Sequence, residues 1–150
     1  MVKTLYVIVA ISFAVIAAIA LTTTTTSAHE YQGEMYQTSS CGCCNVWGDY
    51  AQRSVELDIT KQASIEHIKD EHNIPRQLRS CHTTIIEDYF IEGHMPAQAI
   101  DKLLDERPDI AGIALPGMPS GTPGMPGPKT EDWVVYAVNH DGSSYEFMRI

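Results

Sequence analysis

Positive charge is scarce in this chain. Lysine and arginine together number 10 against 19 aspartates and glutamates, giving a formal net charge of −9. A surface of that sign repels phosphate backbones and anionic headgroups, which excludes nucleic acid as a natural partner and leaves cations admissible. Long apolar runs are equally few. Only Leu5–Leu21, broken by Ser12, approaches the roughly 18 residues that a membrane-spanning helix needs. It follows Lys3 and precedes Thr26-Ser27-Ala28, the succession of charge, apolar core and small residues that marks a secretion signal. Residues 1–28 are therefore read as a signal peptide and 29–150 as one domain, without membrane contact after cleavage; an uncleaved anchor is the alternative. Loss of Lys3 would leave the remainder one unit more negative.

Cysteine is confined to four residues, three of them crowded into Cys41-Gly42-Cys43-Cys44 and the fourth beside a histidine at Cys81-His82. An even count in an exported chain suggests disulfides, with three pairings open to four cysteines. Bridged Cα atoms sit about 4.4 to 6.8 Å apart with matched Cβ directions, so at most one of the crowded three can pair comfortably with Cys81. Two thiols would remain, and an oxidising compartment does not keep idle thiols.

The rest of the chain reads as alternating strands and helices. A short strand runs from Gly33 towards Ser40. Val46, Trp47, Tyr50 and Ala51 then recur at helical spacing within 45–54. Val55-Glu56-Leu57-Asp58-Ile59 alternates with period two, as a strand with one buried face does. Lys61 to His72 suggests a second helix, with Ile65 and Ile68 inward and Pro75 beyond its end. Thr83–Ile86 and Tyr89–Glu92 are β-branched and aromatic runs around Glu87-Asp88, a hairpin whose turn lacks glycine. Pro96 to Arg107 is a third helix with Ile100, Leu103 and Leu104 on one face. Glycine, proline and methionine break 112–128 into a long loop, and Trp133–Val138 with Ser144–Ile150 closes the chain as a β-hairpin. The expected class is α/β, a mixed sheet flanked by helices.

This order sets Cys41, Cys43 and Cys44 where the first strand hands over to a helix, whose free N–H groups and dipole favour thiolate. These sulfurs are expected to be reactive or metal-bound. A helical crossover from the second strand would start the third at the end where the second starts. In the hairpin, with Glu87-Asp88 as a two-residue turn, 86 faces 89 and 81 faces 94, so Cys81 stands opposite His94.

Cys41-Gly42-Cys43-Cys44 after a short strand, Leu78-Arg79-Ser80-Cys81-His82-Thr83, Glu92-Gly93-His94 and Leu115-Pro116-Gly117-Met118-Pro119 together resemble the thioredoxin-like copper-resistance proteins called CopG, long labelled a domain of unknown function. The resemblance runs from about Gly33 to the C-terminus. It implies a thioredoxin-like fold, an exported, periplasmic location, and copper(I) held by the cysteines as a sulfur-bridged cluster. It also implies that both cysteine segments meet at one end of the sheet, as in glutaredoxin-like proteins, although Cys81-His82 replaces the proline those carry there. Met95 departs from the β-branched residue more usual after the matching histidine.

Copper(I) is soft and takes thiolate, with thioether and imidazole as further ligands. The candidate ligands are Cys41, Cys43, Cys44 and Cys81, followed by His82 and His94, with Met118 in a loop acting as a lid. Met125 shares that loop. Successive helical positions point about 100° apart, so Cys43 and Cys44 serve one ion badly and several bridged ions well. Four thiolates around four copper(I) ions are neutral, whereas around one copper(I) they carry −3. Several ions per chain are expected, with other periplasmic copper-handling proteins as donors or acceptors. His29 at the cleaved terminus is a minor candidate; His67, His72 and His140 read as solvated surface, and Trp47 and Tyr50 as core. The rival is a thiol-disulfide or copper redox oxidoreductase using Cys41 and Cys44 as C-x-x-C, against which the intervening Cys43 offers a wrong partner. A disulfide-stapled module without metal is the third reading.

Overall fold

A computed structural model describes residues 30–150, so the segment read from sequence as a signal peptide, and His29, lie outside the described residues. Strand β1 spans Tyr31–Thr38, helix α1 Gly42–Ala51, β2 Val55–Gln62, α2 Glu66–Glu71, β3 His82–Ile86, β4 Tyr89–Glu92, α3 Ala97–Glu106, β5 Gly112–Ala114, β6 Val134–Val138 and β7 Ser144–Arg149. The seven strands form one mixed sheet in the order β2-β1-β3-β4-β5-β6-β7. The α/β class, the irregular Gly/Pro/Met segment after Ala114 and the terminal hairpin agree with the sequence reading.

Four expectations need correction. Helix α1 starts at Gly42 rather than Asn45, with Cys41 extended at its N-cap. Its buried stripe is Cys44, Trp47, Gly48 and Ala51, while Val46 is 55% exposed. A pattern search passes over the weak helix formers Gly42 and Cys43, but burial of Cys44 recruits that turn into the helix. Lys61 and Gln62 belong to β2, where they pair with Gln37 and Thr38 of β1, so the second helix shrinks to six residues. Gly112–Ala114 is a strand inside the stretch expected to be irregular. It pairs with β4 on one side and β6 on the other, and Gly112 is required because a Cβ there would lie 2.2 Å from the Phe90 carbonyl oxygen.

The fourth correction matters most. Strands β1 and β2 are parallel, but β3 runs antiparallel to β1, with Gly33 opposite Ile86 and Gln37 opposite His82. Thus β3 starts at the end of the sheet where β1 and β2 finish, not where β2 starts. The short helix α2 fits this: its six residues rise only about 9 Å, against about 26 Å for the eight-residue β2.

Alternation along the strands divides the core between the two faces of the sheet. Met35, Ile86, Tyr89, Ile91, Ile113, Val135 and Ala137 pack with Trp47 of α1 and Leu103 of α3. Phe90, Ala114 and Val138 point the other way, towards Ile74 and Leu78. The β3–β4 hairpin has the expected two-residue turn, with 86 opposite 89. Glu87 supplies the left-handed conformation that glycine would otherwise provide, at φ +53. No described helix is long and apolar enough to cross a membrane.

Trp47 joins the core to the cysteine end. It is fully buried, its ring lies 4.4 Å from that of His82, and its indole N–H donates to the Met95 carbonyl at 2.9 Å. Met95 is itself fully buried in the same cluster, which accounts for its side chain as packing. Trp47→Phe keeps an aromatic ring but leaves that carbonyl without its partner, and should lower unfolding free energy by about 1–3 kcal/mol in urea denaturation.

Candidate metal centre

Because β3 starts where β1 ends, the two cysteine segments meet. The sulfurs of Cys41, Cys43, Cys44 and Cys81 all lie within 4.8 Å of one another. A second group, Cys44, Cys81, His82 and His94, satisfies the same limit and shares two of those sulfurs. Sulfur and imidazole donors thus form one continuous cluster rather than two sites.

Within it, Cys41 and Cys44 are joined in a disulfide with their Cα atoms 5.4 Å apart, leaving Cys43 and Cys81 as free thiols. The geometric argument from sequence weighed bridges to Cys81; the bridge closes locally, across the C-x-x-C pair that the rival oxidoreductase reading named. One helical turn brings residue i+3 back beside the N-cap, which satisfies the Cα separation a disulfide needs. Cys43 Sγ stands 3.6 Å from Cys41 Sγ, and Cys44 Sγ lies 3.7 Å from the carbonyl oxygen of Cys81.

The hairpin register carries over beyond the paired residues: Cys81 Sγ is 3.0 Å from His94 Nε2. The other ring nitrogen of His94, Nδ1, lies 2.7 Å from the Pro123 carbonyl oxygen. A carbonyl only accepts, so Nδ1 carries the proton and Nε2 presents its lone pair to Cys81. This is the arrangement found for imidazoles that ligate metals, where an outer hydrogen bond sets the tautomer. His82 is fully buried, with Nδ1 3.4 Å from Cys81 Sγ and Nε2 without a hydrogen-bond partner. A buried nitrogen without a partner, on a ring that shares the cluster with Cys44 and Cys81, wants an acceptor if protonated or a cation if not.

The electrostatics keep these groups neutral. The Cys81 thiol is pushed up to about 11, first by burial and then by the charge of Cys43. Burial also holds His82 well below the ordinary histidine range, reinforced by His94 and by the Lys69 cation. His94 is lowered by burial, opposed by its bond to Pro123. In the metal-free state Cys81 therefore keeps its proton and can donate it to His94 Nε2.

The long loop reaches the cluster through Pro123 and Gly124. Gly124 takes φ +84, and a Cβ on it would lie 2.8 Å from the Cys43 carbonyl oxygen and 3.0 Å from both His94 Nδ1 and the Trp47 nitrogen. The loop is thus a strap laid against the site, and neither anchor was singled out from sequence. Their only signal was the density of glycine and proline. Met118 is 38% exposed at φ +47, and Met125 follows Gly124 directly with its backbone N–H bonded to Thr122. Among the other histidines, His67 is exposed, His72 half-buried, and His140 pairs with Asp109 on the surface. Tyr50 accepts a hydrogen bond from the Ala97 backbone, tying α1 to α3.

Solved structures of copper resistance protein CopG, in a form 1 and a form 2, match with TM-scores of 0.72 and 0.73. Each is 31% identical, and the matches cover 79% and 80% of this chain and 96% and 98% of theirs. The chain belongs to the CopG family. A family model described as protein of unknown function, DUF411, matches residues 78–125, a segment holding Cys81, His82, His94 and the strap residues Pro123 and Gly124. No curated protein sequence matches. Covering 79% and 80% of the chain, the likeness to CopG extends well beyond the segment that the family model covers.

Both histidines are lowered, so the unfolded chain binds protons that the fold excludes, and their contribution to stability is present above about pH 6.5 and lost as the pH falls through their folded values. The denaturation midpoint of metal-free protein should decline on acidification from about pH 6.5. His82→Gln should flatten that decline; an unchanged slope would show that His82 is already open to protons in the fold.

Proposed function

We propose that this CopG-family chain is a periplasmic copper-binding protein that serves copper resistance by holding copper(I) in a multinuclear, cysteine-bridged site. Cys41, Cys43, Cys44 and Cys81 are its bridging ligands once the Cys41–Cys44 bridge is reduced. His82 and His94 are further ligands, and Met118 belongs to the strap as an outer thioether. The mutual approach of four sulfurs within 4.8 Å carries the reading, because soft thiolates gathered so closely select a soft cation. Charge favours several ions, since four thiolates matched by four copper(I) ions bury no net charge. The secretion-signal pattern of residues 1–28 supports export to the periplasm and 29–150 as the working domain. The arrangement β2-β1-β3-β4, with α1 joining parallel β1 and β2, supports a thioredoxin-like core extended by β5, β6 and β7.

Anaerobic copper(I) titration of the reduced protein should saturate above one ion per chain and protect all four thiols from alkylation. A single ion with two thiols still reactive would remove the cluster.

The Cys41–Cys44 bridge favours a second reading, redox work at the same sulfurs. Closing the bridge releases two electrons and two protons; the electrons suffice to open a partner disulfide or to reduce two copper(II) ions to copper(I). Cys43→Ser separates the readings, because it leaves the C-x-x-C pair intact while deleting a bridging ligand. It should lose copper and show no gain in reducing a model disulfide. Full copper loading with disulfide exchange at least as fast as the parent would place the protein with the thiol oxidoreductases.

A further inference from the structure

On the face of the sheet opposite α1, bonded to the backbone of Ser80 just before Cys81, lies a fully buried ion pair. Lys69 of α2 is 1% exposed and Glu92 of β4 is 0% exposed, with Nζ 2.5 Å from Oε1. Lys69 also donates to Thr83 Oγ1 at 2.9 Å, and the Thr83 hydroxyl donates to Glu92 Oε2 at 2.6 Å. The third donor to the carboxylate is the backbone N–H of Ser80, 2.5 Å from Oε1.

That last bond lies where the sheet stops. The β3–β4 ladder ends at Thr83 opposite Glu92, followed only by the Gly93 N–H to the His82 carbonyl at 3.2 Å. Ser80 and Cys81 have no strand partner, yet Cys81 Sγ must stay within reach of His94 and the other sulfurs. The side chain of Glu92 continues the ladder by other means, accepting from the Ser80 backbone N–H through one oxygen and from the Thr83 hydroxyl through the other. A buried pair of this kind is a weak source of stability, because apolar residues of similar volume often do as well. A directed, charge-assisted acceptor is what apolar residues cannot supply.

We propose that Glu92, neutralised by Lys69, is a positioning residue that fixes Cys81 against His94. The metal-free part of this proposal stands alone; its consequence for copper rests on the function proposed above. Two double variants separate positioning from charge. Lys69→Met with Glu92→Gln removes the ion pair but keeps an acceptor for Ser80, whereas Lys69→Met with Glu92→Leu removes both. The first readout is the His94 side-chain nitrogen NMR signal in reduced, metal-free full-length protein, which reports the thiol at Nε2. The second is copper(I) affinity by chelator competition. The glutamine variant should keep the His94 signal and bind copper within about threefold of the parent, while the leucine variant loses the signal and binds about 10 to 100-fold more weakly. Should the leucine variant fail to fold, Glu92→Asp, which keeps the charge beside Lys69 but draws the acceptor back by one methylene, should shift the His94 signal and weaken copper alike. A His94 signal unchanged in the leucine variant, or in the aspartate variant used in its place, would overturn the proposal. A protein that binds no copper while the His94 signal behaves as expected would instead remove the copper reading and leave the positioning role standing.

Discussion

The antiparallel pairing of β1 with β3 is the constraint on which the cysteine end of this protein depends. By setting Gln37 opposite His82, it brings the strand end that leads into Cys41, Cys43 and Cys44 beside the strand start that follows Cys81. A parallel β3 would have displaced Cys81 by the length of the strand, about 26 Å, and no loop rearrangement short of refolding would reunite the sulfurs. The short α2 accords with this pairing, in which the chain between β2 and β3 stays at the end of the sheet where β2 finishes. Trp47 and the strap at Gly124 then close on a cluster whose location the backbone has already decided.

Burial poses a problem that the site solves with protons. Thiolates and imidazolium ions are costly away from water, and the raised Cys81 and lowered His82 and His94 show each group held neutral in the absence of metal. On the copper reading, each bridging thiol exchanges a proton for a copper(I) ion of the same charge, so loading alters the local charge little. Zinc(II) bound by the same four sulfurs would leave two negative charges in a chain that already carries −9. On the copper reading, discrimination would come from charge matching as much as from softness.

The site was legible in sequence to the extent that it follows from strand register. Two residues in the Glu87-Asp88 turn fix 86 opposite 89, and counting outward places Cys81 opposite His94, where the two side chains meet. The core faces of α1 and α3 followed from spacing in the same way, apart from Val46, which the real start of α1 turns outward. What failed were judgements about path. Lys61 and Gln62 look helical in isolation, and only their pairing with β1 makes them strand; that error lengthened α2 and reversed β3. The Cys41–Cys44 bridge was marked by its C-x-x-C spacing, but the Pro123 bond to His94 and the Lys69–Glu92 pair depend on residues far apart in the chain or on backbone groups, which carry no sequence pattern. Lys69 in particular looks like any solvated helix lysine until Glu92 is found beneath it.

The disulfide and the proposed cluster compete for the same two atoms. Cys41 and Cys44 cannot be bridged to each other and supply thiolates, so oxidation of the pair removes two of the four sulfurs while leaving Cys43, Cys81, His82 and His94 in place. What remains is poorer in thiolate and relatively richer in imidazole, a donor set less selective for a soft cation. On the proposed readings, holding copper and cycling thiols would therefore be opposite states of one cluster rather than separate talents. Cys43 tips the balance, because it stands 3.6 Å from Cys41 and extends the reduced site beyond what disulfide exchange requires. A pair meant only for exchange gains nothing from a third thiol within attacking distance, whereas a site meant to bridge several ions needs it.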